Sequence, residues 1–149
     1  MRPPFLILVV DDDPLLLDIC TRASKEHFPE ASFLQVRSCS EAIQYIHELD
    51  GFGPKLILLD IDLNSNQSGF TLLTFLKEHA QARFLPVVML TVDESRDTVV
   101  AAYSEWTSSF TIKPDSFGGW KQYFLVLRQY WFNTVTVPAV RFHKLDYWK

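Results

Sequence analysis

Acidic side chains follow two short apolar runs of this chain. Asp11–Asp13 come directly after Phe5–Val10, and Asp60 comes directly after Leu56–Leu59. Clustered carboxylates repel one another, and burial raises their pKa values further, so a bound cation would relieve the cluster. Oxygen-only ligands favour Mg²⁺ or Ca²⁺, and two or three carboxylates completed by waters suit Mg²⁺. The residue types therefore predict a magnesium site.

Two other polar side chains follow two further apolar runs. Thr91 comes after Val87–Leu90, and Lys113 comes after Ser109–Ile112. A carboxylate held beside Mg²⁺, such as Asp60, can attack phosphorus as a nucleophile and form an acyl phosphate. The metal and the Lys113 ammonium would then hold the phosphoryl oxygens as charge develops, and the Thr91 hydroxyl could donate a hydrogen bond to them. The set of residues therefore indicates phosphoryl chemistry.

The runs that carry these residues are predicted to be strands of one parallel sheet. Three of them are continuous and apolar on both faces, as buried parallel strands are, while Ser32–Val36 and Ser109–Ile112 are weaker. Helical periodicity lies between them, so five strands alternate with five helices. This alternation predicts an α/β fold with a doubly wound sheet and helices on both faces. Ligands of such sheets bind outside the carboxyl ends of the strands, where the polar residues lie.

Helix starts are predicted from capping residues placed before apolar positions at helical spacing. The residues that mark these starts are, in chain order, Pro14, Ser40, Gly69, Ser95 and Ser116. We expect no linker or repeat to divide residues 1–132, which form one predicted domain.

Residues 133–149 do not continue the alternation of strands and helices. Thr134–Val137 looks like a strand that Pro138 interrupts, and aromatic residues such as Phe142, Tyr147 and Trp148 follow. The segment is too apolar to be a solvated linker. We predict that this C-terminal tail packs on the domain or on a partner.

Composition excludes several classes of function. The chain has 149 residues and a net charge of -4 without a basic block, which gives no support for nucleic-acid binding. From its apolar runs we expect neither a transmembrane helix nor an export signal. Cys20 and Cys39 have neither a CxxC spacing nor a histidine at ligand spacing. We therefore expect reduced cysteines and a cytoplasmic protein.

Four segments together resemble the receiver domain of two-component response regulators. They are Ile7–Pro14, Leu58–Asp60, Pro86–Thr91 and Lys113–Pro114, and the resemblance covers about residues 5–132. It implies the flavodoxin-like strand order 2-1-3-4-5. Because the chain stops soon after the last predicted helix, it looks like a stand-alone receiver, similar to the chemotaxis regulator or to the small partners of phytochrome-type kinases.

The resemblance implies an acceptor and a metal site. Asp60 matches the phosphoacceptor, which takes its phosphoryl group from a histidine kinase or a histidine phosphotransfer protein. Asp11 and Asp12 match the acidic pair that holds Mg²⁺, and Asp60 and the backbone carbonyl of Asp62 complete the protein ligands. The protein would then be a signalling switch that catalyses only its own phosphoryl transfer and dephosphorylation.

The resemblance also implies a switch. Thr91 matches the switch hydroxyl, Lys113 the phosphate-binding lysine and Phe110 the aromatic switch residue, and the Lys113–Pro114 bond looks like the family's usual cis peptide. The output would be a contact with a downstream protein or a homodimer, made by the face of the fourth helix, fifth strand and fifth helix. Aromatic residues predicted near that face are Tyr103, Trp106, Trp120, Tyr123 and Tyr130, with Trp120 expected in the core.

The chain departs from the family pattern in two places. Asn64–Ser68 intervene after the acceptor, and Gly69 comes nine residues after Asp60 where eight is usual. Val92 follows the switch threonine, where the family usually has Ala or Gly. We predict that this larger side chain narrows access to the phosphoryl group.

Two alternatives remain open at this point. Asp60 and Asp62 also resemble the DxD motif of haloacid-dehalogenase-type phosphatases, with Asp60 as nucleophile and Asp62 as general acid. That family places its other acidic pair after the lysine, however, whereas Asp11 and Asp12 lie at the start of this chain. The second alternative is a degenerate interaction module that keeps the receiver fold and never accepts phosphate.

Overall fold

The computed structural model describes residues 4–63, 68–92, 95–104 and 107–144 as an α/β fold. In chain order, the elements are β1 (Phe5–Val10), α1 (Leu16–His27), β2 (Ala31–Val36), α2 (Cys39–Glu48), β3 (Gly51–Phe52), β4 (Leu56–Asp60), α3 (Gly69–Glu78), β5 (Val87–Thr91), α4 (Arg96–Ser104), β6 (Ser109–Ile112), α5 (Phe117–Leu127) and β7 (Arg141–Phe142). In the described part of the chain, no helix combines the length and the apolar character needed to cross a membrane.

The main sheet has five parallel strands in the order β2-β1-β4-β5-β6. Because the short strand β3 pairs with β7 in a separate two-stranded sheet, the order of the main sheet is the flavodoxin-like 2-1-3-4-5 that the resemblance implies. The predicted strand bounds hold for β1 and β6, and β2, β4 and β5 are each one residue longer. The carboxyl ends of β1, β4, β5 and β6 therefore meet at one edge, which carries the predicted site.

A hydrophobic core lies on each face of the main sheet. Alternate residues of a strand point to opposite faces, so Ile57 of β4 joins the core under α2, α3 and α4, while Leu58 joins the core under α1 and α5. Both residues are fully buried. This burial on two faces explains why the central strands are continuously apolar in the sequence.

The predicted cap of α2 was wrong by two residues. Ser38, not Ser40, is the N-cap, because its backbone is extended and its hydroxyl accepts a hydrogen bond from the Glu41 N–H at 3.0 Å. The cap of α5 is confirmed, since the Ser116 hydroxyl accepts from the Gly119 N–H at 2.9 Å.

The C-terminal tail turns back onto the domain. Thr134–Val137 is not the strand that its sequence suggests; the Val135 N–H instead donates to the carbonyl of Tyr130 at 3.0 Å and closes the π-helical turn that follows α5. Further on, β7 pairs with β3, and the Phe142 side chain is 1% exposed in the core beside α2 and α3. The predicted aromatic residues Tyr147 and Trp148 lie outside the described residues.

Candidate functional site

Four predicted site residues lie together at the carboxyl ends of the strands. Asp60 and Thr91 are the last residues of β4 and β5, while Asp11 and Lys113 directly follow β1 and β6. Asp11 is 0% exposed, Thr91 1% and Asp60 6%. Buried carboxylates require charged or hydrogen-bonding partners, so this edge of the sheet must supply them.

Three carboxylates converge at this edge. One oxygen from each of Asp11, Asp12 and Asp60 lies within 4.8 Å of the others. Such a set of hard oxygen donors, with two of the three residues buried, suits a divalent cation of the Mg²⁺ type. The residues present therefore fit the metal that the sequence predicts.

Lys113 supplies the positive charge of the cluster. Its ammonium lies 2.6 Å from Oδ2 of Asp11 and 3.7 Å from Oδ2 of Asp60. Burial by itself lowers the pKa of Lys113, but its hydrogen bond to Asp11 and the charges of Asp11 and Asp60 outweigh burial and raise that pKa. The Lys113 ammonium thus lies beside two of the three carboxylates.

The two oxygens of Asp60 have different surroundings. Oδ1 accepts a hydrogen bond from the backbone N–H of Asp62 at 3.0 Å, while Oδ2 faces Lys113. Burial raises the pKa of Asp60 to about 6, and the charge of Asp11 acts in the same direction, against the Asp62 N–H and the ammonium of Lys113. Any positive charge added to the site would favour the ionised form of Asp60.

Thr91 and Phe110, the two residues that the resemblance implies as a switch, lie in the neighbouring strands β5 and β6. The Thr91 hydroxyl donates to Oδ2 of Asp62 at 3.5 Å, and the Thr91 carbonyl accepts from the Lys113 N–H at 2.8 Å. Phe110 is partly buried and packs against the core that contains Met89 and Ala102.

The peptide bond before Pro114 is trans, so the predicted cis bond is wrong. The trans form is the more stable by about 0.5–1 kcal/mol for a bond of this type. With this bond trans, Lys113 already reaches Asp11, so the ion pair does not require the cis form.

Gly69 is needed because α3 begins against the backbone of the site. A Cβ atom at this position would lie 2.6 Å from the carbonyl oxygen of Asp60 and 3.0 Å from Cα of Ile61. A side chain at position 69 would therefore push the start of α3 away from Asp60. Of the loop before Gly69, residues 64–67 lie outside the described residues.

One residue that supports the site, Gln35, was not predicted from the sequence. Gln35 of β2 donates to the backbone carbonyls of Asp11 and Asp13 at 2.7 and 2.8 Å. A glutamine in a weakly apolar edge strand carries no motif. The Gln35 side chain lies next to the acidic loop because of the register in which β2 pairs with β1, where Gln35 is opposite Val9.

The aromatic residues predicted near the output face differ in burial. Tyr103 and Tyr130 are exposed, whereas Trp120 is buried, as expected. Tyr123 is partly buried, and its hydroxyl forms a hydrogen bond with that of Thr111 at 3.0 Å. Trp106 lies outside the described residues.

Comparison with known proteins establishes the family. The model of the response regulator receiver domain matches residues 7–118, about three quarters of the chain. The chain therefore belongs to the response-regulator receiver family, whose members are switches phosphorylated on an aspartate in two-component signalling.

Individual relatives agree with this assignment. The chain is 31% identical to a probable methanogenesis regulatory protein, FilR2, of Methanothrix harundinacea, over 91% of this chain and 89% of FilR2. It is 25% identical to response regulator Rcp1 of Synechocystis, over 93% of this chain and 96% of Rcp1. The Mn²⁺-bound structure of Rcp1 has a TM-score of 0.77 at 24% identity, over 91% of this chain and all of that one. None of these matches supports the phosphatase alternative.

Proposed function

We propose that Asp60 accepts a phosphoryl group from the phosphohistidine of a histidine kinase or histidine phosphotransfer protein, and that the reaction depends on Mg²⁺. Oxygens of Asp11, Asp12 and Asp60 would hold the metal, with the backbone carbonyl of Asp62 as a further ligand. The observation that carries this proposal is the convergence of three carboxylates beside a lysine at the carboxyl edge of the sheet.

The chain's own groups can perform the transfer. An oxygen of Asp60 attacks phosphorus, and the O–P bond forms as the N–P bond to imidazole breaks. The imidazole leaves with the electron pair on its nitrogen, which takes up a proton from solvent. Lys113 stabilises negative charge on the phosphoryl oxygens, and Thr91 donates a hydrogen bond to them. Bound Mg²⁺ would neutralise charge on the carboxylates and on the phosphoryl group. The related Rcp1 has been crystallised with Mn²⁺, a similar divalent ion.

A cleft beside Lys113 offers a place for the phosphodonor. It lies between α1 and α5, has a volume of about 630 Å³, and has apolar walls that include Leu16, Phe117 and Trp120. Asp13 also lines it, next to the acidic cluster. A partner helix that carries the phosphohistidine would present its apolar side chains to these walls.

The output would follow from movement of Thr91 and Phe110. Once phosphate is present, Thr91 turns from Asp62 toward it, and Phe110 fills the space released, which reshapes the face of α4, β6 and α5. This face would contact a downstream protein or a second copy of the chain. Phosphorylation shifts such an equilibrium only through a difference in affinity between the two states.

Two further assignments belong to the proposal. Residues 1–132 form the receiver, and residues 133–149 form a tail that packs on it, which the burial of Phe142 supports. The protein acts in the cytoplasm, a reducing compartment in keeping with the free thiols of Cys20 and Cys39.

The proposal is tested by labelling with a small-molecule phosphodonor. Wild-type protein should form one acyl phosphate per chain in Mg²⁺ and none in EDTA, and Asp60→Asn should not label. Asp18→Asn is the matched control, because Asp18 is an exposed aspartate of α1 paired with Arg22. It should label like the wild type.

The same preparations separate the alternatives. Steady turnover of p-nitrophenyl phosphate that requires Asp62 would support a phosphatase instead. Normal labelling of Asp60→Asn, or labelling that EDTA leaves intact, would overturn the proposal.

A further inference from the structure

Gln35 forms three hydrogen bonds around the acidic loop that follows β1. Its Nε2 group donates to the carbonyls of Asp11 at 2.7 Å and Asp13 at 2.8 Å, and its Oε1 accepts from the backbone N–H of Leu17 at 3.0 Å. A neutral amide has two donors and one acceptor oxygen, and all of them are used here. Because both donors are on the nitrogen, the Gln35 amide can form these three hydrogen bonds in only one orientation.

The third of these bonds reaches the first turn of α1. Leu17 lies in the first turn of the helix, where backbone N–H groups have no partner within the helix. No side chain of the N-cap residue Leu15 satisfies them. Gln35 therefore joins the acidic loop and the first turn of α1 to strand β2 through a single amide.

Arg37, which directly follows β2, completes a clamp on the acidic loop that consists of the Gln35 and Arg37 side chains. Its guanidinium donates to the carbonyl of Asp12 at 3.3 Å. The carbonyls of three successive aspartates are thus held by two side chains from the end of β2. Because a fixed carbonyl fixes the peptide plane, this clamp limits the directions in which the Asp11 and Asp12 carboxylates can point.

We propose that Gln35 is a positioning residue for the divalent cation. It holds the Asp11 and Asp12 carboxylates in their metal-binding arrangement before the ion arrives, an inference that rests on the proposed metal site. Groups that orient metal ligands typically change affinity about 10- to 100-fold when they are removed. A residue that only stabilised the fold would leave the affinity of the folded protein unchanged.

The test is the Mn²⁺ dissociation constant of Gln35→Met, measured from free Mn²⁺ by electron paramagnetic resonance and repeated with Mg²⁺ in competition. Methionine keeps the length of the side chain and removes all three hydrogen bonds. We expect the dissociation constant to rise about tenfold. The matched control is Gln44→Met, because Gln44 is an exposed glutamine whose bonded partner is Glu48, away from the site. It should leave the constant unchanged.

Urea unfolding in EDTA separates positioning from stability. A lower unfolding free energy together with a wild-type dissociation constant would overturn the inference. Failure of the wild type itself to bind Mn²⁺ would overturn the proposed metal site as well, which is a different result. If Gln35→Met does not fold, Gln35→Asn retains an amide that is one methylene too short, and the same rise in the constant is required.

Discussion

The two ends of the main sheet are built from opposite kinds of residue. At the carboxyl end, the buried carboxylates of Asp11 and Asp60 lie beside the ammonium of Lys113. At the amino end, the rings of Phe5, Phe28 and Phe132 contact one another, with centroids 5.5 to 5.9 Å apart. The first end concentrates charge that repels itself, and the second concentrates apolar area that stabilises the fold.

The two ends of the same strands contribute differently to the binding of ligands and to the stability of the fold. Buried like charges are unfavourable without a cation, so the functional end of the sheet lowers the stability of the metal-free protein. The aromatic end and its ion pair between Arg128 and Glu30, at 2.6 Å, offset this. Changes at one end should therefore alter binding chemistry, and changes at the other should alter stability alone.

The largest effect on stability is expected at the amino end. Phe28 is fully buried between two aromatic rings, so Phe28→Ala should lower the unfolding free energy by about 3–5 kcal/mol through lost contacts and a cavity. Urea denaturation measures this loss. The folded fraction of Phe28→Ala should bind Mn²⁺ with the same affinity as the wild type.

A matched phenylalanine gives the control. Phe84 is 52% exposed with Arg83 over its ring, so Phe84→Ala should change stability by less than about 1 kcal/mol. Equal losses for the two variants, or weaker metal binding by Phe28→Ala, would remove the distinction between the two ends of the sheet.

The next effect is a pH dependence at the carboxyl end. The pKa of Asp60 is about 6 in the folded protein against an ordinary 3.8, so the folded state binds the proton more tightly than the unfolded state. Between these values, unfolding releases protons and stability falls as pH rises. The decrease amounts to roughly 3 kcal/mol, fully expressed above about pH 6.

Asp60→Asn removes this titration. In EDTA, the variant should gain stability relative to the wild type as pH rises from about 4 to about 7, and unfolding free energies at both pH values measure the gain. Saturating Mg²⁺ should stabilise the wild type more than the variant at the higher pH, since it binds the ionised carboxylate. Parallel pH profiles for the two proteins in EDTA would contradict the assignment of a raised pKa to Asp60.

The smallest effect concerns the lifetime of the acyl phosphate. Val92 directly follows Thr91 and is 76% exposed, and its branched side chain is predicted to hinder the in-line approach of a water to the phosphoryl group. Val92→Ala should shorten the half-life of phosphorylated protein about threefold, a barrier difference below 1 kcal/mol. Decay of labelled protein gives the half-life, and an unchanged or longer value would count against shielding by Val92.

The sequence predicted the elements whose signals are local and repeated. The apolar runs gave the strands of the main sheet to within one residue, and the residues after them gave Asp11, Asp60, Thr91 and Lys113 as neighbours, because parallel strands end at one edge. That information lies in the periodicity of single segments and in chain order.

The remaining features depend on contacts between segments distant in the chain. The Gln35 side chain reaches the acidic loop because of the register in which β2 pairs with β1. Phe142 is buried because β7 pairs with β3, and no local pattern of the tail indicates this pairing. The choice of Ser38 over Ser40 depends on which of two serines has an extended backbone, a difference that composition does not contain.

Chemical mapping of the acceptor tests the central claim most directly. Reduction of freshly phosphorylated protein with borohydride converts an aspartyl phosphate into homoserine, and sequencing of the peptides by mass spectrometry locates it. The structure predicts homoserine at position 60 alone, in protein labelled in Mg²⁺. Homoserine at position 11, 12 or 62, or none anywhere in fully labelled protein, would contradict the assignment of Asp60 as the phosphoacceptor.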